Sequence, residues 1–357
     1  MNVDLKKYGF SDRFQQEATL YEGLMAARVS AQHRDQYSVV GEQGEISARV
    51  SGKLMFSAKG PIDFPAVGDF VMMNKPDDHG GAAVIHHVLR RKSVFMRQAA
   101  GTANEQQVVA ANVDVVLICM SLNADFNLRR MERYLAIAWD SMATPVIVLT
   151  KADLCADVPQ KLHEISAISL GVDVVVISAE NDDYQAVSRY IREGTTVALI
   201  GSSGVGKSTL VNCLMGRSVL KTKEIREDDA KGRHATTHRQ LLLLPGGGIV
   251  IDTPGMRELH IFSGNLSKTF EDVETLAALC RFSDCSHETE PGCAVQAAME
   301  RGTLPRERFE SYQKLQRETQ YDGLNARQLE NEKINRMFGS KNEMKQMFRE
   351  IKRKNSR

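Results

Sequence analysis

Residues 201–209 read Gly-Ser-Ser-Gly-Val-Gly-Lys-Ser-Thr, a GxxxxGK[ST] run that follows the apolar segment TVALI and opens the helix-forming segment KSTLVNCLMG. That placement demands a strand, a tight loop and a helix in succession, the arrangement found at the carboxyl ends of strands in a parallel sheet. Gly201, Ser202, Ser203, Gly204, Val205 and Gly206 bring backbone N–H groups around phosphate oxygens, and the helix N-terminus adds its dipole. Lys207 reaches the β- and γ-phosphates, the Ser208 hydroxyl is the magnesium ligand, and Thr209 continues the helix. The bare pattern arises in roughly 1% of chains of this length from average residue usage. With a strand before it and a helix after it, a plain Gly-rich turn explains it poorly.

The surroundings fit. From Val113 the chain alternates VDVVLICM, a helix through LRRMERYLAIAWDSM, PVIVLT, a helix near QKLHEISAISL, VDVVVIS, a helix near YQAVSRYIRE, and TVALI. Continuous apolar strands alternating with helices predict a doubly wound parallel sheet, completed by QLLLLP and GIVIDT. Further motifs stand at its strand ends. Asp252-Thr-Pro-Gly255 follows GIVI, where a carboxylate can hold magnesium through water and a glycine N–H can sense the γ-phosphate. Thr150-Lys151-Ala152-Asp153 follows PVIVL, and Ser178-Ala179 follows VDVVVI. In the [NT]KxD pattern the carboxylate accepts from guanine N1 and N2 and the lysine stem packs on the ring. The Ser-Ala loop offers an N–H to guanine O6, a position where adenine carries a donor. The set therefore selects GTP, and TKAD opposes an ATP-dependent enzyme on the same fold.

Ahead of this unit, Tyr37 to Arg97 holds YSVV, EISARV, KLMF, DFVMM and AVIHHVL, separated by Gly- and Pro-containing turns. The spacing predicts a five-stranded barrel of the OB type, with a sandwich fragment as the alternative. Behind it, Cys280-x4-Cys285-x-His287-x5-Cys293 offers three thiolates and an imidazole within fourteen residues, enough for a closed, structural Cys3His zinc site. Cys119, Cys155 and Cys213 lie in or beside apolar runs instead, so reduced thiols are expected. No stretch approaches the ~20 apolar residues that span a bilayer. The polar opening carries no apolar signal core, so the expectation is cytoplasmic, with no membrane partner. The 46 Lys and Arg balance 45 Asp and Glu, yet residues 331–357 hold nine basic and three acidic side chains. That tail is either a solvated end or a phosphate-contacting arm that includes Lys341, Lys345, Arg349 and Lys352.

The base-reading motifs TKAD and SA precede the P-loop, GRHATT and DTPG, the reverse of the usual GTPase order, with a barrel before and a Cys/His cluster after. In this, and in AVGDF, VLRRKSVFMR and QVVAANVD, the chain resembles the circularly permuted, small-ribosomal-subunit-dependent GTPases of the RsgA/YjeQ family. The resemblance implies an α/β permuted P-loop GTPase domain with an N-terminal OB-fold β-barrel and a C-terminal helical zinc-binding domain. The expected division is an extension at 1–36, the barrel at 37–108, the GTPase domain at 109–262 and the zinc-binding region with its basic tail at 263–357. It implies a monomeric enzyme that hydrolyses GTP to GDP with magnesium, is stimulated by the 30S subunit, and acts in late 30S maturation through 16S rRNA. A nucleotide-gated RNA-binding scaffold with negligible turnover is the rival. Two positions depart from the family pattern. Thr150 replaces Asn, which is expected to loosen a bridge to the phosphate loop; Ala235 replaces a Thr, leaving Thr236 or Thr237 as the switch threonine. Met256 follows Gly255 where Ras-like proteins place the water-orienting glutamine, and a thioether cannot do that work. His234, beside those threonines, is the candidate to orient water.

Overall fold

The structure, a computed structural model, describes residues 3–33, 36–74, 82–98, 106–178, 184–220, 240–252, 259, 261, 266–320 and 346. Near the N-terminus, helix α1 (Asp12–Ala18) leads into strands β1 (Met25–Gln32), β2 (Tyr37–Gly41) and β3 (Gly44–Val50), helix α2 (Gly52–Ser57), and strands β4 (Phe70–Met73) and β5 (Ala83–Val88). The strands run in the order β1-β2-β3-β5-β4, and β4 pairs back onto β1, closing a five-stranded barrel. Ala27, Val29, Val39, Ala48, Val71, Met73, Ala83 and Ile85 fill it. Phe14 of α1 packs at a tilt against Phe70 with ring centroids 4.4 Å apart and adds a small second core.

Two segments differ from the sequence expectation. KLMF, where an apolar run predicts a strand, lies in α2. Ser51 caps that helix by accepting from the Leu54 N–H at 3.1 Å, and Lys-Leu-Met-Phe offers no alternation to support pleating. The fifth barrel strand is β1, from a stretch expected to be an extension. Its inward residues Ala27 and Val29 are small, so MAARVSAQ carries little of the apolar signal that marks a strand. It also buries Arg28 almost completely, with the guanidinium donating to the carbonyls of Gly68 (3.2 Å), Asn112 (3.5 Å) and Tyr8. Burial pulls this arginine down to about 10, still well above neutrality, so it stays charged.

A hairpin of β6 (Val94–Gln98) and β7 (Gln106–Ala111) leads to the α/β unit. That unit contains β8 (Val115–Ser121), α3 (Leu128–Asp140), β9 (Thr144–Thr150), α4 (Val158–Ser166), β10 (Asp173–Val176), α5 (Gln185–Ser188), β11 (Thr196–Ile200), α6 (Lys207–Met215), β12 (Gln240–Leu243) and β13 (Ile249–Asp252). Its strand order is β10-β9-β8-β11-β13-β12. The first five strands are parallel and β12 is antiparallel to β13. Apolar clusters cover both faces, as a parallel sheet requires. All five parallel strands deliver their carboxyl ends to one edge, where the sequence motifs stand. Helices α7 (Glu271–Ala278), α8 (Ala294–Glu300) and α9 (Arg306–Gln320) follow.

The AVGDF and RR motifs lock the barrel to the next unit. Gly68 has φ +94°, and a Cβ there would lie 2.2 Å from the Ala111 carbonyl oxygen, so only glycine fits. Asp69 is fully buried and receives a two-pronged bond from Arg91, Nε to Oδ1 at 2.8 Å and Nη2 to Oδ2 at 2.7 Å. The Arg91 guanidinium also donates to the Ile62 and Phe64 carbonyls. Removing one partner of such a pair strands a buried charge, so Arg91→Ala should cost about 3–5 kcal/mol. Urea unfolding of wild type and variant checks this; an unchanged midpoint would mean that the pair contributes nothing.

Candidate nucleotide site and metal cluster

The phosphate loop leaves β11 through Gly201, whose φ is +145°; a Cβ there would lie 2.3 Å from the Cys119 carbonyl oxygen on β8. Glycine thus lets the loop turn hard against the neighbouring strand. Val205 is buried and pins the loop to the core, and Gly206 precedes Lys207, the first residue of α6. The Lys207 ammonium donates to the carbonyls of Gly201 (2.8 Å) and Ser202 (2.6 Å), so it lies over the loop it serves. Ser208 and Thr209 follow in the first turn of the helix. Asp252, the first residue of the DTPG motif, is the last residue of β13, the parallel neighbour of β11, and the rest of the motif lies outside the described residues.

Thr150 ends β9 buried, and its hydroxyl donates to the Val205 carbonyl at 2.6 Å. The bridge to the phosphate loop that the Asn-to-Thr change was expected to loosen is therefore made here by the threonine itself. Lys151 takes a left-handed φ of +57°, and Ala152 and Asp153 form a single 3-10 turn, Ala152–Leu154. The Ser178 hydroxyl donates to Asp153 Oδ1 at 2.6 Å, and the Ala152 N–H donates to the Ile177 carbonyl at 3.3 Å. Loops from two adjacent parallel strands are thereby tied together, with Asp153 exposed at their edge. Ala179, His234, Thr236, Thr237, Gly255 and the four tail residues Lys341, Lys345, Arg349 and Lys352 lie outside the described residues.

Asp153→Asn substitutes one acceptor and one donor for a carboxylate that accepts twice. Each charge-assisted bond contributes about 1.5–3 kcal/mol, so the preference for GTP over ATP should fall by roughly ten- to a hundredfold. Competition binding with both nucleotides measures it. An intact preference would take base reading away from Asp153.

Cys280, Cys285, His287 and Cys293 come together, with one ligand atom from each inside a 4.8 Å span. Cys280 Sγ lies 3.5 Å and Cys293 Sγ 3.4 Å from His287 Nδ1, and the two sulfurs are 3.9 Å apart. Among the described residues this is the one group of its kind, and it can hold a metal ion. Its scaffold is local. His287 has φ +61° and sets its ring edge-on to Phe309 of α9, while Cys293 caps α8 by accepting from the Gln296 N–H at 3.4 Å. Glu290 accepts from the Ser286 hydroxyl and from three backbone N–H groups of the loop. Those donors hold its carboxyl down to about 2. A depressed carboxyl supports the fold above its usual pKa and ceases to do so as pH falls toward 2.

Sequence reading missed the polar side of α3. Arg130 donates to Ser202 Oγ of the phosphate loop at 2.8 Å and to Asp125 Oδ1 at 2.7 Å. Two residues on, buried Glu132 accepts from Arg129 and from Arg308 of α9. Arg308 also grips Asp272 of α7 at 2.6 Å and the Thr269 carbonyl at 2.9 Å. In the string LRRMER these are ordinary surface charges of an amphipathic helix, and only their distant partners distinguish them.

A family model described as RsgA GTPase matches residues 88–262. A relative from Lactiplantibacillus plantarum, called small ribosomal subunit biogenesis GTPase RsgA 2, is 53% identical over 97% of this chain and 98% of its own length. The chain belongs to the RsgA GTPase family. A relative of the same name from Vibrio parahaemolyticus is 46% identical over 94% of this chain and 90% of its own. The crystal structure of YjeQ from Thermotoga maritima superposes with a TM-score of 0.61 at 28% identity, covering 83% of this chain and 98% of that one. That of YloQ, a circularly permuted GTPase, gives 0.59 over 84% and 96%; at 23% identity it speaks for the fold alone. As an RsgA GTPase the chain is a GTP-hydrolysing enzyme, and the TKAD and Ser178 strand ends of β9 and β10 precede the GSSGVGKST loop in the chain. Among the described residues no helix is long and apolar enough to cross a membrane.

Proposed function

We propose that this GTPase acts in late maturation of the small ribosomal subunit in the cytoplasm, binding the 30S particle through its 16S rRNA and hydrolysing GTP faster when bound. The observation that carries the reading is the coverage of the relatives: nearly full-length chains at 53% and 46% identity bear the name of small-subunit biogenesis GTPases. The chain works as a monomer, its parts dividing near residues 108 and 263, with the barrel ahead of the GTPase unit and a metal-stabilised helical region behind it. Lys207 turns from the loop carbonyls to the β/γ-phosphate oxygens when GTP enters, while the N–H groups of Gly204, Val205 and Gly206 hold the phosphates in place. Ser208 and Asp252 would hold magnesium, which supplies positive charge against the phosphates. His234 accepts from the attacking water, Thr236 or Thr237 closes the switch, Asp153 with Lys151 and the Ser178–Ala179 loop reads guanine, and the basic tail contacts rRNA phosphates.

Zinc is the metal proposed for the Cys3His cluster. Tetrahedral zinc with sulfur at ~2.3 Å and nitrogen at ~2.05 Å sets ligand atoms roughly 3.8 Å apart for sulfur pairs and 3.6 Å for sulfur and nitrogen. The separations of 3.9, 3.5 and 3.4 Å fit that geometry. Four protein ligands leave no open position, so the role is structural.

Cosedimentation with 30S, 50S and 70S particles tests the reading. Retention on 30S alone, stronger with a non-hydrolysable GTP analogue than with GDP, is the expected result. Equal retention in both nucleotide states, or none on 30S, would overturn it.

A further inference from the structure

The phosphate loop receives cations from two directions. Lys207 approaches Ser202 through its backbone carbonyl, and Arg130 approaches the same residue through its side-chain hydroxyl. Arg130 is steered there by Asp125, which accepts from Nη1 at 2.7 Å. Nη1 carries every hydrogen bond that Arg130 makes among the described residues, so Nε and Nη2 have no partner there. Arg130 lines a cavity of about 420 Å³ together with Asp125, Arg133, Tyr134, Ser202 and Ser203. Arg133 is spoken for by Glu318 of α9 and the Leu259 carbonyl. A guanidinium one-third exposed, with a free edge, on a cavity lined also by Ser202 and Ser203 of the phosphate loop suits an oxyanion that accepts two parallel N–H bonds, and at a phosphate loop that oxyanion is a phosphoryl group.

We infer that Arg130 is a further catalytic residue of the GTP site, its free guanidinium edge meeting the γ-phosphoryl oxygens. In the reaction a water oxygen bonds to the γ-phosphorus while the bond to the bridging oxygen of GDP breaks. The water proton passes to phosphate or solvent, and negative charge is redistributed over the equatorial and leaving oxygens. Arg130, held by Asp125 and Ser202 before substrate arrives, offers positive charge without reorganising, which is where electrostatic stabilisation is largest. Its effect should therefore fall on GTP and on its transition state, and spare GDP.

Arg130→Ala in the full chain, measured without ribosomes, tests this. Intrinsic kcat should fall at least roughly tenfold. Affinity for the non-hydrolysable analogue GppNHp should weaken several-fold, and affinity for GDP should stay within about twofold. A kcat within about twofold of wild type would overturn the assignment, and so would an equal loss of GppNHp and GDP affinity, which marks a part that only shapes the loop. If the alanine variant fails to fold, Arg130→Lys carries the same comparison. A single ammonium cannot hold Asp125 and Ser202 and still face the phosphate, so its loss should be smaller but confined to GppNHp and kcat.

Discussion

Lys207→Ala should reduce GTP turnover by on the order of 10³-fold, the upper end of what one preorganised charge on a transferring group supplies. The ammonium has no substitute within the loop. Ser202, Ser203, Ser208 and Thr209 present neutral hydroxyls, and the remaining positions present backbone N–H groups that already have their own phosphate oxygens to serve. The Gly201 and Ser202 carbonyls that the ammonium meets are neutral acceptors that a triphosphate outcompetes. The fold should be untouched, because those two bonds lie at the surface of a loop pinned independently by Val205 and Thr150. Single-turnover hydrolysis with a parallel melting curve separates the two effects. A variant that folds and still hydrolyses GTP within tenfold of wild type would remove the lysine from the chemistry.

Cys285→Ser should empty the metal cluster and unfold the segment between α7 and α8. Structural zinc sites contribute an apparent ~10–16 kcal/mol of binding free energy that is also folding free energy. Around the cluster there is little else to hold the chain, since residues 279–292 are mostly exposed and form no helix or strand. α9 is better secured, by Arg308 on Glu132 and Asp272 and by packing of Phe309 and Tyr312. Metal analysis should show about one zinc per chain in wild type and a clear deficit in the variant, with proteolysis appearing between α7 and α8. GTP affinity should change little, because the cluster lies outside the nucleotide loops. Full zinc content in the variant, or no zinc in the wild type, would contradict the assignment.

The parts of this site that were legible in the sequence are those built by local backbone geometry. A glycine that must turn against a strand, a lysine at a helix start and two loops at consecutive strand ends are encoded within a few residues each, so GSSGVGKST and TKAD could be read as chemistry before any contact was known. The Cys/His spacing was legible for the same reason. What could not be read depends on partners far along the chain. MAARVSAQ becomes a barrel strand because β2 and β4 pair with it, and KLMF becomes a helix because Ser51 caps it. Arg28 is tolerated in the core only because three carbonyls from distant segments converge on it. Thr150 keeps the loop bridge because Val205 stands opposite, 55 residues later. Arg130 joins the phosphate loop across 72 residues, with nothing in LRRMER to separate it from Arg129 and Arg133 beside it.

The most direct test of a subunit-dependent GTPase is its turnover with and without purified 30S particles. Slow intrinsic hydrolysis, accelerated at least roughly tenfold by 30S and not by 50S, is the predicted result, with His234→Ala retaining 30S binding but losing most of the acceleration. The same rate with and without 30S would contradict the account and leave a nucleotide-gated scaffold in its place.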